Sequence, residues 1–388
     1  MVAPPLLYAD NAATSWPKPK EVQEKTAALL TGQPLSPGRA AHRCSLEAGR
    51  IIFTVREALA RFFNCPDSSR VIFTSGITES LNTAILGLYP HILSPGSHVI
   101  TTPLEHNSVM RPLRHLERTA GIRISTLPLD ASTGTVNTAA LPSLLRDDTR
   151  LIVVNHVSNV TGAVADLERI GRCKGKALFM VDAAQSAGIF PLDVQAMDID
   201  ILGFTGHKSL LGPTGTGGFW LAPGIDLHPL KLGGTGSNSE QELQPDFSPD
   251  RYEAGTPNTL GIAGLGAGLS YILQRGMATI RKHEQRLTRR FLEGLAGLER
   301  VQVFGPVSMQ HRGAVISLRI RDMGVSEAAH ALDRRHNIMV RSGLHCAPAA
   351  HRALGTFPEG TIRFSFGPFS TEEEIDRCLH GLEELCKR

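Results

Sequence analysis

Short apolar runs alternate with longer segments whose apolar positions recur every three to four residues. Through the first two-thirds of the chain the order is RVIFT then TESLNTAILGLY, SHVITT then NSVMRPLRHLERTAG, and RLIVVNH then DLERIGRCKGK, followed by ALFMVD, DILGFT and GGFWLA. The near-continuous apolar runs predict strands buried on both faces, and the 3.6-period segments predict amphipathic helices that cover them. This βαβ rhythm implies an α/β architecture around a mostly parallel sheet. Between Leu232 and Thr259, Gly, Ser, Asn and Pro interrupt the periodicity and predict a long ordered loop. From Leu260 the pattern changes. Two long helical segments, LGIAGLGAGLSYILQRG and MATIRKHEQRLTRRFLEGLAGL, precede strands AVISLRI, IMVRSG and TIRFSF, and amphipathic STEEEIDRCLHGLEELCKR follows. We therefore expect a large domain over residues 16–259, with residues 1–15 joining 260–388 in a smaller α+β domain.

Composition narrows the class. With 388 residues, 41% hydrophobic and 20% charged, the chain has ordinary globular values and enough length for a sizeable core. A net charge of +3 without basic blocks interleaved with aromatics gives nucleic-acid binding no support. No run approaches membrane-spanning length, so no membrane partner is expected. Six cysteines (Cys44, Cys65, Cys173, Cys346, Cys378, Cys386) lack metal-ligand or disulfide-framework spacing. Reduced thiols, no metal site and a cytoplasmic location are the expectation.

In open α/β sheets ligands lie beyond the carboxyl ends of the strands, which is where the candidate chemistry falls. One apolar run closes on Val181-Asp182-Ala183-Ala184-Gln185 and another on Phe204-Thr205-Gly206-His207-Lys208. An acid and a lysine so placed suit pyridoxal 5'-phosphate (PLP), whose pyridine nitrogen needs a carboxylate and whose aldehyde needs an amine. An acid at a strand end is also a common helix cap. Gln185 can reach the ring's O3′, and Thr205 and His207 can hold phosphate oxygens. In FTSGITESLN, Gly76 suits a tight turn and Thr78 lies at or near an N-cap, a terminus that favours phosphate and is equally consistent with a simple capped turn. His106 in PLEHNSV can stack on a flat ring or shuttle protons, or be a structural histidine. Asn159 in VNHVSNVTG can donate to a phenolate oxygen or merely form the turn before Gly162. No G-x-G-x-x-G follows the first strand, which excludes a dinucleotide fold.

Taken in order, YADNAAT, GRAAHR, TESLN, EHNS, HVSNVTG, VDAAQSAG, FTGHKSLLGPTG, YEAGTPN, RSGLHCAP and the arginine of TIRFSFG cover nearly the whole chain. Together they resemble the cysteine desulfurase and selenocysteine lyase family, fold-type I PLP enzymes of the class V aminotransferase superfamily. That resemblance implies a mostly parallel seven-stranded sheet with a smaller C-terminal domain. It implies Lys208 as the imine-forming lysine, Asp182 as pyridinium partner and His106 as the stacking and proton-transfer residue. Gln185 and Asn159 would lie near O3′, and Thr78, Thr205 and His207 would be phosphate ligands. Thr256 resembles a residue that reaches the phosphate of a neighbouring subunit, implying a homodimer with shared sites.

Cys346, in Arg341-Ser342-Gly343-Leu344-His345-Cys346-Ala347-Pro348, decides the reaction type. A thiolate beside Arg341 and His345 would be electrostatically favoured. By resemblance Cys346 attacks the substrate sulfur and keeps it as a persulfide, while Arg363 pairs bidentately with the substrate carboxylate, with Asn159 and Arg341 close by. The expected substrate is L-cysteine or L-selenocysteine, with a sulfur-acceptor protein as a further partner. A selenocysteine lyase, a cystine or C–S lyase, a class V aminotransferase and a non-catalytic PLP-binding scaffold are the alternatives. The chain departs from the group-II desulfurases in three places. Leu344-His345 replaces a histidine pair, Thr205 stands where serine is common, and the loop from Lys231 has its own sequence.

Overall fold

The computed structural model describes residues 5–32, 34, 36–37, 42–238 and 240–387. Residues 38–41 of the GRAAHR motif lie outside them, whereas His42 caps the helix Arg43–Phe62 by accepting from the Ser45 backbone N–H.

Seven strands form the main sheet in the order Val71–Thr74, Gly217–Leu221, Ile201–Thr205, Leu178–Asp182, Thr149–Asn155, His98–Thr101 and Arg123–Thr126. Only Gly217–Leu221 runs antiparallel to its neighbours. The central strands are apolar on both faces because both faces are covered. Leu151 to Val154 are fully buried, each such side chain contributing roughly 1.5–3 kcal/mol. Each face carries its own cluster, one around Phe63, Phe179 and Phe204 and the other around Leu81, Leu113 and Phe219.

The edge strand Arg123–Thr126 escapes a reading of apolar runs. As RIST it buries none of its side chains fully, since only one neighbour and one partial covering layer are available to it.

A second, four-stranded antiparallel sheet has the order Val301–Phe304, Val315–Ile320, Thr361–Ser365 and Arg341–Gly343. The stretch IMVRSG is not one strand. Ile338–Met339 pairs in parallel with Leu7–Tyr8 near the N-terminus, and Arg341–Gly343 pairs with Thr361–Ser365. The two halves serve different partners, so the chain breaks at Val340. Helices Met277–Leu295, Val325–His336 and Glu372–Cys386 cover this sheet and share a core with Leu7, Ala9, Phe291 and Phe364. Helix Thr259–Arg275 packs instead on Lys20–Thr31 and Arg43–Phe62, burying Ile262, Leu265 and Leu269 in the first cluster.

Among the described residues no helix is long and apolar enough to cross a membrane, and no cluster of His, Cys, Asp or Glu could hold a metal.

Candidate active site

Thr74, Thr101, Asn155, Asp182 and Thr205 all end strands of the parallel set, and the segments after them converge. Asp182 is buried, and its Oδ1 accepts the Ala184 N–H at 2.9 Å. Burial raises its pKa above the usual carboxylate range, only partly offset by that bond and the charge of Lys208. A cationic ring nitrogen beside it would supply the countercharge that the apolar surroundings lack.

Lys208 follows the adjacent strand and is half-buried. Burial lowers its pKa to about 8, with Asp182 opposing and Arg363 and Arg341 adding to the effect. Among the described residues its amine has no hydrogen-bond partner. The amine is therefore available in neutral form near physiological pH, as imine exchange requires.

His106 caps the helix Asn107–Ala120. Its Nδ1 accepts the Ser108 N–H at 3.0 Å, so the neutral ring carries its proton on Nε2. Burial first, then Lys208 and nearby arginines, lower its pKa to about 4.

The turn after Val71–Thr74 differs from the expected cap. Gly76 is the N-cap of Ile77–Gly87, and Thr78 lies inside the first turn with its side chain exposed. Thr205 is buried, and its hydroxyl makes only a long 3.4 Å bond to the Thr216 carbonyl. His207 Nδ1 is buried without a partner among the described residues. Gly217 shows how closely backbone packs here, since a Cβ on it would lie 2.6 Å from Gly76 Cα. An exposed first turn, a weakly bonded hydroxyl and an orphaned imidazole nitrogen match a phosphate in donor type and placement. Together with Asp182 and Lys208, the residues present fit PLP.

Gln185 donates through Nε2 to the Ala12 carbonyl at 2.9 Å, so its amide ties the N-terminal segment to the site in this state. Asn159 is likewise committed elsewhere. Its Nδ2 donates to the His345 carbonyl at 2.7 Å, leaving Oδ1 buried and unpartnered. Thr256 is exposed and shares a cavity of about 170 Å³ with Ser75, Glu79, Gly215 and Lys231.

The small sheet supplies the other wall. Arg363 is buried within the strand Thr361–Ser365, with Nη1 donating to the Asn159 carbonyl at 3.2 Å and Nη2 paired to Asp10 at 2.6 Å. Arg341 stands directly opposite it on the neighbouring strand and is exposed. Cys346 is exposed, and it and His345 both have positive φ, +58° and +48°. Two successive non-glycine residues in the left-handed region need external restraint. Asn159 holds the His345 carbonyl, and the Asn107 N–H holds the Cys346 carbonyl at 2.8 Å.

His345 does not assist the thiol as its position in the sequence suggests. It is buried with Nε2 on Thr361, at 3.1 Å from the carbonyl and 3.0 Å from the hydroxyl, and burial lowers its pKa to about 2. A neutral ring committed to Thr361 brings no positive charge to the cysteine loop.

Three further residues belong here. Asp10 in YADNAAT orients Arg363. Lys18 in SWPKP donates to the Ser15 hydroxyl and the His207 carbonyl, each at 2.7 Å. Glu105, next to His106, is fully buried with Oε1 bonded to Thr102 and to the Asn155 N–H, and burial raises its pKa to about 8. Asp10 and Glu105 lie in motifs that stand out in the sequence and Lys18 does not, and each has a partner distant along the chain.

A seven-stranded, mostly parallel sheet and a smaller antiparallel one thus meet around Lys208 and Asp182. The aminotransferase class-V profile matches residues 7–378, and the chain belongs to that family. Within it, the chain is 35% identical to a probable cysteine desulfurase of Pyrococcus abyssi, over 98% of this chain and 94% of that one. It is 32% identical to a cysteine desulfurase of Pectobacterium atrosepticum, over 98% and 93%. The apo structure of a cysteine desulfurase from Thermococcus onnurineus NA1 superposes with a TM-score of 0.92 at 34% identity, covering 98% of this chain and 95% of that one. The S-sulfonic acid form of the Escherichia coli cysteine desulfurase CsdA gives 0.87 at 28%, over 98% and 95%.

Proposed function

We propose that the chain is a PLP-dependent cysteine desulfurase that converts L-cysteine to L-alanine and places the sulfur on Cys346 as a persulfide. The observation that carries this reading is an exposed cysteine in the left-handed region, on a loop fixed by Asn159 on the His345 carbonyl and by the Asn107 N–H on the Cys346 carbonyl.

PLP, when bound, supplies an electron sink for negative charge at the substrate α-carbon. Asp182 would stand against the ring nitrogen, His106 over the ring, and Ser75–Thr78, Thr205 and His207 around the phosphate. Arg363, with Arg341 across the strand pair, orients the substrate carboxylate. The Lys208 amine, held below its ordinary basicity, takes the α-proton and holds it within reach of the same carbon. His106 offers its Nε2 proton on the opposite wall. Cys346 as thiolate then attacks the substrate sulfur. An S–S bond forms as the carbon–sulfur bond breaks, the electron pair stays with carbon, and protonation there releases L-alanine.

The same reading makes the enzyme a homodimer in which Thr256 reaches the partner's phosphate site, as its exposure on a long loop permits. It also places the protein in the reducing cytoplasm, in keeping with six cysteines whose spacing forms no disulfide framework. The expected boundary at 259 shifts, because helix Thr259–Arg275 packs on Lys20–Thr31 and Arg43–Phe62; we take residues 16–275 as the large domain, and 1–15 with 276–388 as the small one.

Product analysis tests the reading. Wild type and Cys346→Ala are each given L-cysteine, L-selenocysteine, L-cystine and L-cysteine sulfinate, and alanine and sulfide are measured. The expected outcome is alanine from L-cysteine with wild type and a loss of at least about 10²-fold with the variant. Unchanged L-cysteine turnover in Cys346→Ala would sink persulfide chemistry, and turnover of L-selenocysteine alone would make the enzyme a lyase.

A further inference from the structure

A persulfide on Cys346 has to be passed on, and the surface beside this residue has a marked electrostatic character. The Asn107 N–H that holds the Cys346 carbonyl is the first of the helix Asn107–Ala120, so that helix starts at the cysteine loop. Its exposed face carries Arg111, Arg114, His115 and Arg118, spaced i, i+3, i+4 and i+7 on one side. The short helix Pro348–Ala353, two residues past Cys346, brings Arg352 to the other wall of a groove of about 590 Å³. Glu117 is the one acidic residue in the lining, and it is bonded to Arg114 at 2.6 Å. Four arginines against one glutamate make the groove about as positive as the entire chain, whose formal net charge is +3.

Like charges at i, i+4 on one helix face, as at Arg114 and Arg118, are unfavourable. Arg111 and Arg118 have no carboxylate partner among the described residues, so the arrangement gives up stability where an anionic surface would recover it. The three helix arginines span only about 10 Å at 1.5 Å per residue, short for a phosphate backbone that gains affinity by neutralising many charges.

We propose that this groove docks an acidic polypeptide segment that presents the acceptor thiol to the Cys346 persulfide. The inference rests on the desulfurase reading above. In the transfer the acceptor thiolate attacks the outer sulfur. A new S–S bond forms on the acceptor, the Cys346 S–S bond breaks with its electron pair returning to Sγ, and the proton stays on the transferred sulfur. No external oxidant or reductant enters.

The test uses holoenzyme loaded with L-cysteine and three synthetic peptides that each carry one central cysteine, flanked by Asp and Glu, by Ser, or by Lys. The gain of one sulfur atom by each peptide is followed by mass spectrometry. The acidic peptide should be sulfurated about tenfold faster than the serine peptide at low ionic strength, with the advantage fading at high salt. In R114E/R118E that advantage should disappear, while transfer to the serine peptide and alanine release with dithiothreitol as acceptor stay at wild-type rates. Equal rates for the acidic and serine peptides in wild type would overturn the proposal. So would inhibition by a short RNA at concentrations where a cysteine-free acidic peptide does nothing. If no alanine forms with dithiothreitol, the desulfurase reading itself falls and this inference with it. Normal alanine release without charge preference removes the docking inference alone.

Discussion

Arg341 and Arg363 face each other on adjacent antiparallel strands, a placement of like charges that costs stability unless an anion compensates. Asp10 compensates in part through its 2.6 Å bond to Arg363 Nη2, while Arg363 Nε remains buried and unpartnered. Nε and Nη2 share one edge of the guanidinium, the edge that suits a carboxylate held by two parallel bonds. Arg363→Lys should therefore raise KM for L-cysteine by about 10²-fold, on the order of 2–3 kcal/mol, with a much smaller effect on kcat. Steady-state kinetics check this, and a loss confined to kcat would contradict it. Arg363, Lys208 and Asp182 were legible from the chain because each sits in a motif. Asp10 and Glu105 lie in motifs too, and Lys18 does not, but the importance of all three comes from partners at least tens of residues away, Lys18 meeting the His207 carbonyl and Glu105 the Asn155 N–H. The inert role of His345 was equally hidden. Its place beside Cys346 says nothing of a ring turned onto Thr361.

At the scale of elements, the turn proposed for the phosphate depends on a strand that contributes no ligand. Gly217 opens the antiparallel strand Gly217–Leu221, opposite both Thr74 and Thr205. Its missing side chain lets the Ser75–Gly76 turn lie against it. Gly217→Ala should push that turn outward and weaken cofactor binding by about tenfold or more, with the far-ultraviolet circular dichroism unchanged. Titration of apoprotein with the cofactor, followed by absorbance, measures this, and an unchanged dissociation constant would remove the turn from the site. The interior strands were legible as apolar runs because burial on both faces leaves few polar positions. Arg123–Thr126 was not, being an edge strand with one neighbour, and the division of IMVRSG was invisible because pairing partners are not encoded in local periodicity.

Across the whole molecule, titration of buried groups sets how stability responds to pH. Glu284 lies on the long helix Met277–Leu295 and lines a cavity of about 40 Å³ that also touches Gln185 and Lys208. Burial raises its pKa from 4.5 to about 8. The folded state thus keeps a proton that the unfolded chain loses above pH 4.5, and the associated stability declines as pH rises through about 8. Glu284→Gln cannot ionise. Its stability relative to wild type should improve by about 4 kcal/mol between pH 5 and pH 9, measured as urea midpoints, and a pH-independent difference would refute the assignment. The amino-acid sequence by itself determined the α/β class, the motif set and the candidate site residues, because strand burial and ligand chemistry are written in residue type and local spacing. Only the tertiary structure decided which groups are charged, which amides are already occupied, and how Arg363, Asp10 and the Cys346 loop meet across two sheets. Desolvation, pairing and restraint are properties of contacts between distant segments, and those exist only once the chain has folded.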